Sequence, residues 1–573
     1  MATIMKIKKT LCIAGSVVLI GAVSTLFYSF KGDKRNFEII KNLDIFYSVF
    51  KELNAYYVDE TDPKKLVRKA IDEMLASLDP YTNYIPEEEM DDFRFMTTGE
   101  YGGVGSIISL SDTCYVMFRE IYEGKPADRA GLRNGDYIVE INGKDAKNMK
   151  VNDVSDNLRG EAGTEAKVKV WRMGEKKLIE KSIKREKVQI NPVSFYGMLD
   201  AQTGYIDFNN FTQDCSKEIV KALNELKKQG AKKLILDLRD NPGGLLDEAI
   251  KIVNLFVPKG SEVLSTRGKI SMYDKTYKAP SAPIDTEIPI AVLISRRSAS
   301  AAEIVAGALQ DLDRAVIVGQ RSFGKGLVQS TREIEYNGGL KLTTAKYYIP
   351  SGRCIQAIDY SHRDKDGAVG FVADSLISEF KTKGGRKVFD GGGVSPDIHV
   401  TLPEISNIIY ALVANDLIFR YAVRYRMQHT SIAAPENFKL SDSDYADFCN
   451  FVSSQPKFTY KSESNEELKK LISAAKRDKY YDDNKGLFDQ MQTSLAPNLQ
   501  KDLASARTDV QILLENEILT SYYYQRGAAK HAVQNDPEIK KALETIENEP
   551  TYTGLLNGTV ASHAGDKRGS IEK

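Results

Sequence analysis

Apolar positions early in the chain recur at helical spacing. Ile39, Leu43, Phe46, Phe50 and Leu53 alternate steps of four and three, which predicts an amphipathic helix. Asp62-Pro63 opens a second helix, with Leu66, Ala70, Met74 and Leu78 on one side and Pro80 as its stop. This helical pair suits packing on a domain better than self-association. Between residues 98 and 190 the pattern changes. Tyr115-Val116-Met117-Phe118 and Val168-Lys169-Val170-Trp171 are short β-prone runs, punctuated by Gly131, Gly135 and Gly143. From 200 to 355 strands and helices alternate. Tyr205-Ile206-Asp207-Phe208 precedes a Lys/Glu-rich helix over 216–229, and Leu234–Leu238 is a buried strand ahead of a helix over 245–256. Pro289–Ile294 is a second buried strand, leading through Ser298-Ala299-Ser300 into a helix over 301–311. Such alternation predicts a layered α/β core. Residues 357–388 are polar, lack periodicity and read as an insertion. From about 404 the chain is helix-rich around Tyr410, Leu412, Leu417 and Phe419, and its last stretch is polar and frayed.

The 573 residues suffice for several domains and a large core. Lys and Arg number 79 and Asp and Glu also 79, so there is no basic surplus of the kind that phosphate binding requires, and no nucleic-acid partner is expected. The five Cys are scattered without a CxxC pair, the five His all lie at or beyond His362, and there is no HExxH. Neither a zinc site nor a disulfide scaffold is indicated, and no metal or organic cofactor is expected.

At the N-terminus, Lys6, Lys8 and Lys9 precede an uncharged run from Leu11 to Phe30, and Lys31, Asp33, Lys34 and Arg35 follow. A helix of that length spans the roughly 30 Å hydrocarbon core. A cleaved secretory signal is the alternative, with Ala22-Val23-Ser24 as a weak cleavage site. The length of the run favours an uncleaved anchor. Residues 1–35 are therefore read as an anchor or signal segment that makes the membrane a partner. The bulk of the chain is placed outside the cytoplasm, in the periplasm if the source is Gram-negative.

The segment from Pro126 to Leu132, followed by Asn134-Gly135-Asp136 through Asn142-Gly143, combines a short helix, a tight turn, an apolar strand and an Asn-Gly hairpin. In that order these features closely resemble a PDZ domain, here over 98–185. Upstream, Gly103, Val104 and Gly105 match the PDZ carboxylate loop, where glycines let backbone N–H groups converge on a terminal carboxylate. A dinucleotide fingerprint competes for Gly103-Val104-Gly105, but the third glycine and the following helix are missing.

Ser300 stands where a buried strand hands over to an Ala-rich helix. Such a serine is an ordinary N-cap, or a nucleophile whose oxyanion meets the N–H of Ala301. A nucleophilic serine needs a base, and no histidine precedes residue 362. Lys325, in Phe323-Gly324-Lys325-Gly326, is either an exposed turn lysine or, if buried, a neutral base, with Phe323 and Leu327 as apolar surroundings. The Gly-Lys-Gly turn lacks the GxxxxGK[ST] of a phosphate loop.

The whole stretch from Ser298 to Gln329 resembles the carboxy-terminal processing, or tail-specific, S41-type serine peptidases. Asp237-Leu238-Arg239-Asp240-Asn241-Pro242-Gly243-Gly244 and Thr343–Arg353 agree with the same family. The resemblance extends over about 36–400. It implies Ser300 as nucleophile, Lys325 as general base and Gln329 as the residue that orients the lysine. The amide of Gly243 or Gly244, with that of Ala301, would form the oxyanion hole. The implied fold is α/β: a ClpP/crotonase-like protease core over 186–403, with the insertion 357–388, and a PDZ domain inserted ahead of it. N-terminal helices over 36–97 and a helical C-terminal extension over 404–573 complete the chain. The implied activity is endoproteolysis through an acyl-enzyme. Its partners are protein or peptide substrates with accessible C-termini; a homo-oligomer or an activating adaptor is the further partner considered. The PDZ would serve as a gate as well as a tether. The family often carries Ser at the position of Ala302, which is not one of the three mapped positions. A non-catalytic ligand-binding protein on the same core is the rival reading, and it gives no reason for Ser300, Lys325 and Gln329 to occur together.

Overall fold

The computed structural model describes residues 33–365 and 367–565, divided into two compact units that meet at Tyr84 and Ile85. The run Leu11–Phe30, and with it the expected anchor, lies outside the described residues. Among the described residues no helix is long and apolar enough to cross a membrane.

The first unit holds two helices, α1 (Asp33–Tyr56) and α2 (Pro63–Ala76). α2 starts where the sequence predicts. The Asp62 carboxylate accepts the Lys65 N–H at 3.2 Å, and Pro63 sits in the first turn, where a missing N–H costs nothing. Leu43 and Phe46, on the predicted apolar face of α1, are exposed.

The second unit opens with α3 (Met90–Thr98), ended by Gly99 in a left-handed conformation. The strands Ser106–Leu110, Val116–Ile121, Tyr137–Ile141, Glu165–Trp171 and Ile179–Lys184 then form one antiparallel sheet. Its alternation is plain in the Glu165–Trp171 strand, where Ala166, Val168 and Val170 point into the core and Glu165 and Lys167 point out. Asn142 (φ 49°) and Gly143 (φ 79°) make the predicted hairpin turn, in which two successive positive φ values match the strand twist. Glu100–Gly103 pairs with Glu186–Gln189, so the two ends of this small barrel are stapled together.

The central layer follows: β1 (Val193–Met198), β2 (Thr203–Phe208), α4 (Cys215–Lys228), β3 (Lys233–Asp237), α5 (Leu246–Asn254), β4 (Ile290–Ile294), α6 (Ala301–Asp311) and β5 (Val316–Gly319). β6 (Leu327–Ile334) and β7 (Gly338–Tyr348) form a long hairpin in a second, antiparallel sheet, before β8 (Ile398–His399) returns to the first. The strand order of the first sheet is β1-β2-β3-β4-β5-β8, parallel from β2 onward with β1 antiparallel at the edge. The stretch read as an aperiodic polar insertion carries two small hairpins, Ile358–Arg363 with Val369–Phe371 and Glu379–Lys381 with Lys387–Phe389. Their strands are too short to print a period on the sequence.

The C-terminal extension is helical, with α7 (Leu417–Gln428), α8 (Arg507–Ala532) and α9 (Pro537–Glu547) among its helices. Alternation along the central strands shows why it is needed. Ile206, Leu234, Leu236, Val292 and Ile294 point to the face covered by α4, α5 and α6. Their neighbours Tyr205, Ile235, Ala291, Leu293 and Val318 point the other way, onto Ile539, Ala542 and Ile546 of α9 and onto Tyr552 and Leu555 just beyond it. The extension therefore supplies one wall of the core. It also grips the small barrel. Phe419 of α7 is buried with Met117 and Tyr137, Arg119 stacks over it at 3.7 Å, and Tyr524 of α8 donates to Asp128 at 2.7 Å. The architecture is α/β: a ClpP/crotonase-like core, a PDZ-like barrel inserted ahead of it, N-terminal helices and a helical C-terminal extension.

Candidate active site

β4 ends in a tight turn whose Ser298 hydroxyl donates to Leu238 O at 2.7 Å. Two residues on, Ser300 takes φ 54° and ψ −114°, a conformation that costs a non-glycine residue about 1–3 kcal/mol and persists where surrounding structure imposes it. This turn throws the Ser300 side chain to the head of α6, beside the segment 241–244. The close approach of that segment explains Gly243. A Cβ there would lie 2.6 Å from Ala299 O and 2.8 Å from both Ala301 N and Ser300 Cβ.

The main constraint on the elbow is Glu303, fully buried one turn into α6. One oxygen, Oε2, accepts the N–H of Ser300 at 2.8 Å and the N–H of Lys325 at 2.9 Å. The other, Oε1, accepts the N–H of Gly324 at 2.7 Å and the hydroxyl of Ser322 at 2.5 Å. Burial pushes this carboxyl up to about 7, against the four donors, which favour its charged form. Tyr347, buried on β7, makes a second bridge. Its hydroxyl donates to Lys325 O at 2.7 Å and lies 3.2 Å from Ser300 O.

The lysine turn is packed on its other side against 356–357. Gly326 N–H donates to Gln356 Oε1 at 2.7 Å, and Cβ atoms at Gly324 and Gly326 would meet Ala357 Cβ at 2.4 Å and Gln356 N at 2.8 Å. The two glycines therefore serve close packing rather than flexibility. Phe323 does not shelter the lysine as expected; it is 44% exposed. Leu327, Ile304 and Tyr347 instead line the cavity that Lys325 lines.

That cavity, of about 910 Å³, brings together Ser300, Ala301, Lys325, Gln329, Gly243 and Gly244. Tyr122 and Lys125 of the barrel and Tyr524–Arg526 of α8 also border it. Gln329 Nε2 donates to Thr343 Oγ1 at 3.3 Å, across the β6–β7 ladder. The two oxyanion candidates from the glycine pair differ. Gly243 N–H is taken by Asn241 Oδ1 at 2.9 Å. Gly244 is bridged to Phe211 through the atoms of its neighbours, with Phe211 N–H on Gly243 O and Leu245 N–H on Phe211 O, so its own N–H turns away from that strand. None of the described histidines borders the cavity, and no group of three or more His, Cys, Asp and Glu among the described residues could hold a metal ion.

Gly103, Val104 and Gly105 lie together on the barrel. Val104 is buried and its carbonyl accepts the Ala127 N–H at 2.8 Å, while Gly105 (φ 79°) leaves no room for a Cβ beside Lys125. The ring of Tyr101 lies across Gly103, so close that a Cβ there would meet it at 2.6 Å, and it packs edge-on against Phe95.

Three residues of this machinery, Glu303, Tyr347 and Gln356, carry no assignment from sequence reasoning. The Ser-x-x-Glu spacing of Ser300 and Glu303 was the available signal. It reads as an ordinary capping box until the chain brings Gly324 and Lys325 to the same carboxylate.

A layered α/β core, a peptide-binding type of barrel and a cleft bordered by both define a PDZ-bearing peptidase. Residues 202–361 match Peptidase family S41, residues 117–172 match a PDZ domain, and residues 408–546 match the C-terminal helical domain of PDZ-proteases. A carboxy-terminal-processing protease of Bartonella bacilliformis is 38% identical over 322 residues, covering 56% of this chain and 73% of that one. A CtpA-like serine protease of Staphylococcus aureus is 35% identical over 346 residues, covering 60% of this chain and 68% of that one. Among solved structures, a photosystem II D1 C-terminal processing protease is 29% identical, covering 62% of this chain and 92% of that one with a TM-score of 0.33. The chain belongs to the carboxy-terminal-processing proteases of peptidase family S41 and is a serine-type peptidase with a PDZ domain that fits peptide C-termini.

Proposed function

We propose that the protein cuts polypeptides near their C-termini through a Ser300–Lys325 dyad. Neutral Lys325 takes the Ser300 hydroxyl proton as Oγ attacks the scissile carbonyl. The tetrahedral oxyanion is met by the N–H groups of Gly244 and Ala301; Gly243, the other glycine considered, has its amide engaged by Asn241. Lys325 then passes the proton to the departing amine, leaving an ester on Ser300, and a water activated by the same lysine hydrolyses it. Gln329 orients the lysine from the neighbouring strand. The observation that carries this reading is the single Glu303 oxygen that accepts both the Ser300 and the Lys325 N–H groups and so yokes the two segments.

The loop Gly103-Val104-Gly105 receives substrate tails, with Tyr101 moving aside. Residues 1–35 tether the chain to a membrane with the peptidase outside the cytoplasm, a reading supported by the uncharged run Leu11–Phe30. Fractionation of cells making the full chain tests the tether, and recovery in a salt-washed soluble fraction would refute it. The chemistry is tested by degradation of an unfolded protein by residues 36–573, wild type against Ser300→Ala and Lys325→Ala. Cleavage by wild type alone, with a peptidyl ester on Ser300 found by mass spectrometry after acid quench, is the expected result. Cleavage that survives either substitution would overturn the dyad.

A further inference from the structure

The cavity holds a second lysine with no role in the chemistry above. Lys341 lies on β7 directly opposite Thr331 of β6, one alternate pair beyond Gln329 and Thr343. Opposite residues of an antiparallel pair, and residues two apart along a strand, share a face. Gln329, Thr331 and Lys341 all line the cavity, forming a polar row that runs away from the reactive end. Lys341 is partly buried, and burial lowers its ammonium from the usual lysine range with no opposing charge acting on it. Its ammonium makes no ion pair or hydrogen bond among the described residues. Lys125 and Arg526, also at the cavity, differ. Lys125 packs its stem against Gly105, and Arg526 is exposed to water. A cation half stripped of water and left without a counter-ion is unfavourable in the resting protein, and a carboxylate arriving in the cleft removes that cost.

We infer that Lys341 receives the C-terminal carboxylate of the substrate within the cleft, beyond Gln329 on the β6–β7 ladder. The inference rests on the proposed dyad, which fixes the reactive end of the cavity. Extended chain rises about 3.3 Å per residue, so the four-residue step along β6 from Leu327 to Thr331 corresponds to roughly 13 Å. Lys341 thereby limits the piece removed from a bound tail to about four to six residues. The loop of the PDZ domain captures a tail outside the cleft, and Lys341 fixes the end that has entered it.

The test uses internally quenched peptides of one sequence in three forms: a free C-terminal acid, a C-terminal amide, and an amide whose last residue is Asp. The ratio of kcat/KM for acid over amide is compared between wild type, Lys341→Met, Lys341→Gln and Lys341→Arg, each checked for an unchanged melting transition. Lys341→Arg keeps the charge, and the neutral pair guards against one variant misfolding. Wild type is expected to favour the acid by about tenfold, as one charge-assisted contact allows. Met and Gln should collapse that ratio towards one, and Arg should retain most of it. A ratio unchanged in Met and Gln would mean the carboxylate is read elsewhere, on the PDZ loop, and would overturn the proposal. So would an Asp-amide cut as well as the acid, because a side-chain carboxylate would then be the ligand. Ser300→Ala is run on the same peptides. Its residual cleavage judges the dyad, whereas the acid-to-amide ratio judges Lys341 alone.

Discussion

Glu303 holds Lys325 by its backbone, accepting the lysine N–H at 2.9 Å on the oxygen that also accepts the N–H of Ser300 at 2.8 Å. The lysine side chain is thus left to the cavity while its main chain is pinned to the head of α6. A carboxylate suits this position because its three N–H neighbours can only donate, and an amide would turn its NH2 towards some of them.

Glu303→Gln should lower kcat at least about tenfold and destabilise the fold by roughly 2 kcal/mol, since buried N–H groups lose their acceptor. The pH dependence has a definite sign. Burial raises the Glu303 carboxyl to about 7 from its ordinary 4.5, so the stability it contributes is fully present below 4.5 and lost as pH rises through 7. Denaturant unfolding of wild type and Glu303→Gln, compared from pH 4 to 8, should show wild type losing roughly 3 kcal/mol relative to the variant over that window. Activity should run the other way, falling in wild type as Glu303 gains its proton. A stability difference that is flat with pH would show that Glu303 does not titrate in this range.

Gly243→Ala should cost roughly 1–3 kcal/mol and nearly abolish turnover, because φ is 95° and the added Cβ would press on Ala299 O, Ala301 N and Ser300 Cβ. Labelling of Ser300 by a fluorophosphonate probe separates the two effects. A variant that melts a few degrees lower yet labels at the wild-type rate would contradict the crowding argument.

Tyr347→Phe removes one hydroxyl that joins the lysine turn to the elbow and leaves a cavity too small to matter. About 1 kcal/mol of stability should go, with kcat reduced several-fold and KM little changed. A change confined to KM would place the hydroxyl in substrate binding instead.

Phe419→Ala empties the contact through which α7 grips the PDZ domain, where Phe419 packs on Met117 and Tyr137 under Arg119. Loss of a buried phenylalanine costs about 3 kcal/mol or more where the site cannot collapse. Amide exchange should quicken in Val116–Ile121 and Tyr137–Ile141 and stay slow in β3 and β4. Unchanged exchange in those PDZ strands would show that the barrel is held from elsewhere.

Much of the fold is legible in the sequence. The helix expected over 301–311 is α6, and the runs Leu234–Leu238 and Pro289–Ile294 became β3 and β4 because continuous apolar strands belong in a sheet covered on both faces. Ser300 and Lys325, each an ordinary cap or turn residue when taken singly, stand out as a pair only through the family resemblance, and both line the one cavity. What stayed hidden depends on contacts between distant segments. Glu303 looks like a cap, Tyr347 like one more strand aromatic, and Phe323 like shelter for the lysine although it faces outward. The two hairpins within 357–388 are too short to leave a period. Amphipathic helices beyond 404 announce that they bury a face, but not that the face belongs to the central sheet.

The wall that α9 provides has a consequence for the order of events in the cell. Ser300 and Lys325 leave the ribosome long before α9 does, and until it emerges Ile235, Leu293 and Val318 have nothing to cover them. A chain without α9 is expected to leave its central sheet unsettled, and with it the elbow and the lysine turn that hang from that sheet. A cutting enzyme that attacks the loose ends of polypeptides is born among them. By drawing one side of its core from residues translated well after Ser300 and Lys325, the protein ties the assembly of its reactive segments to the arrival of α9.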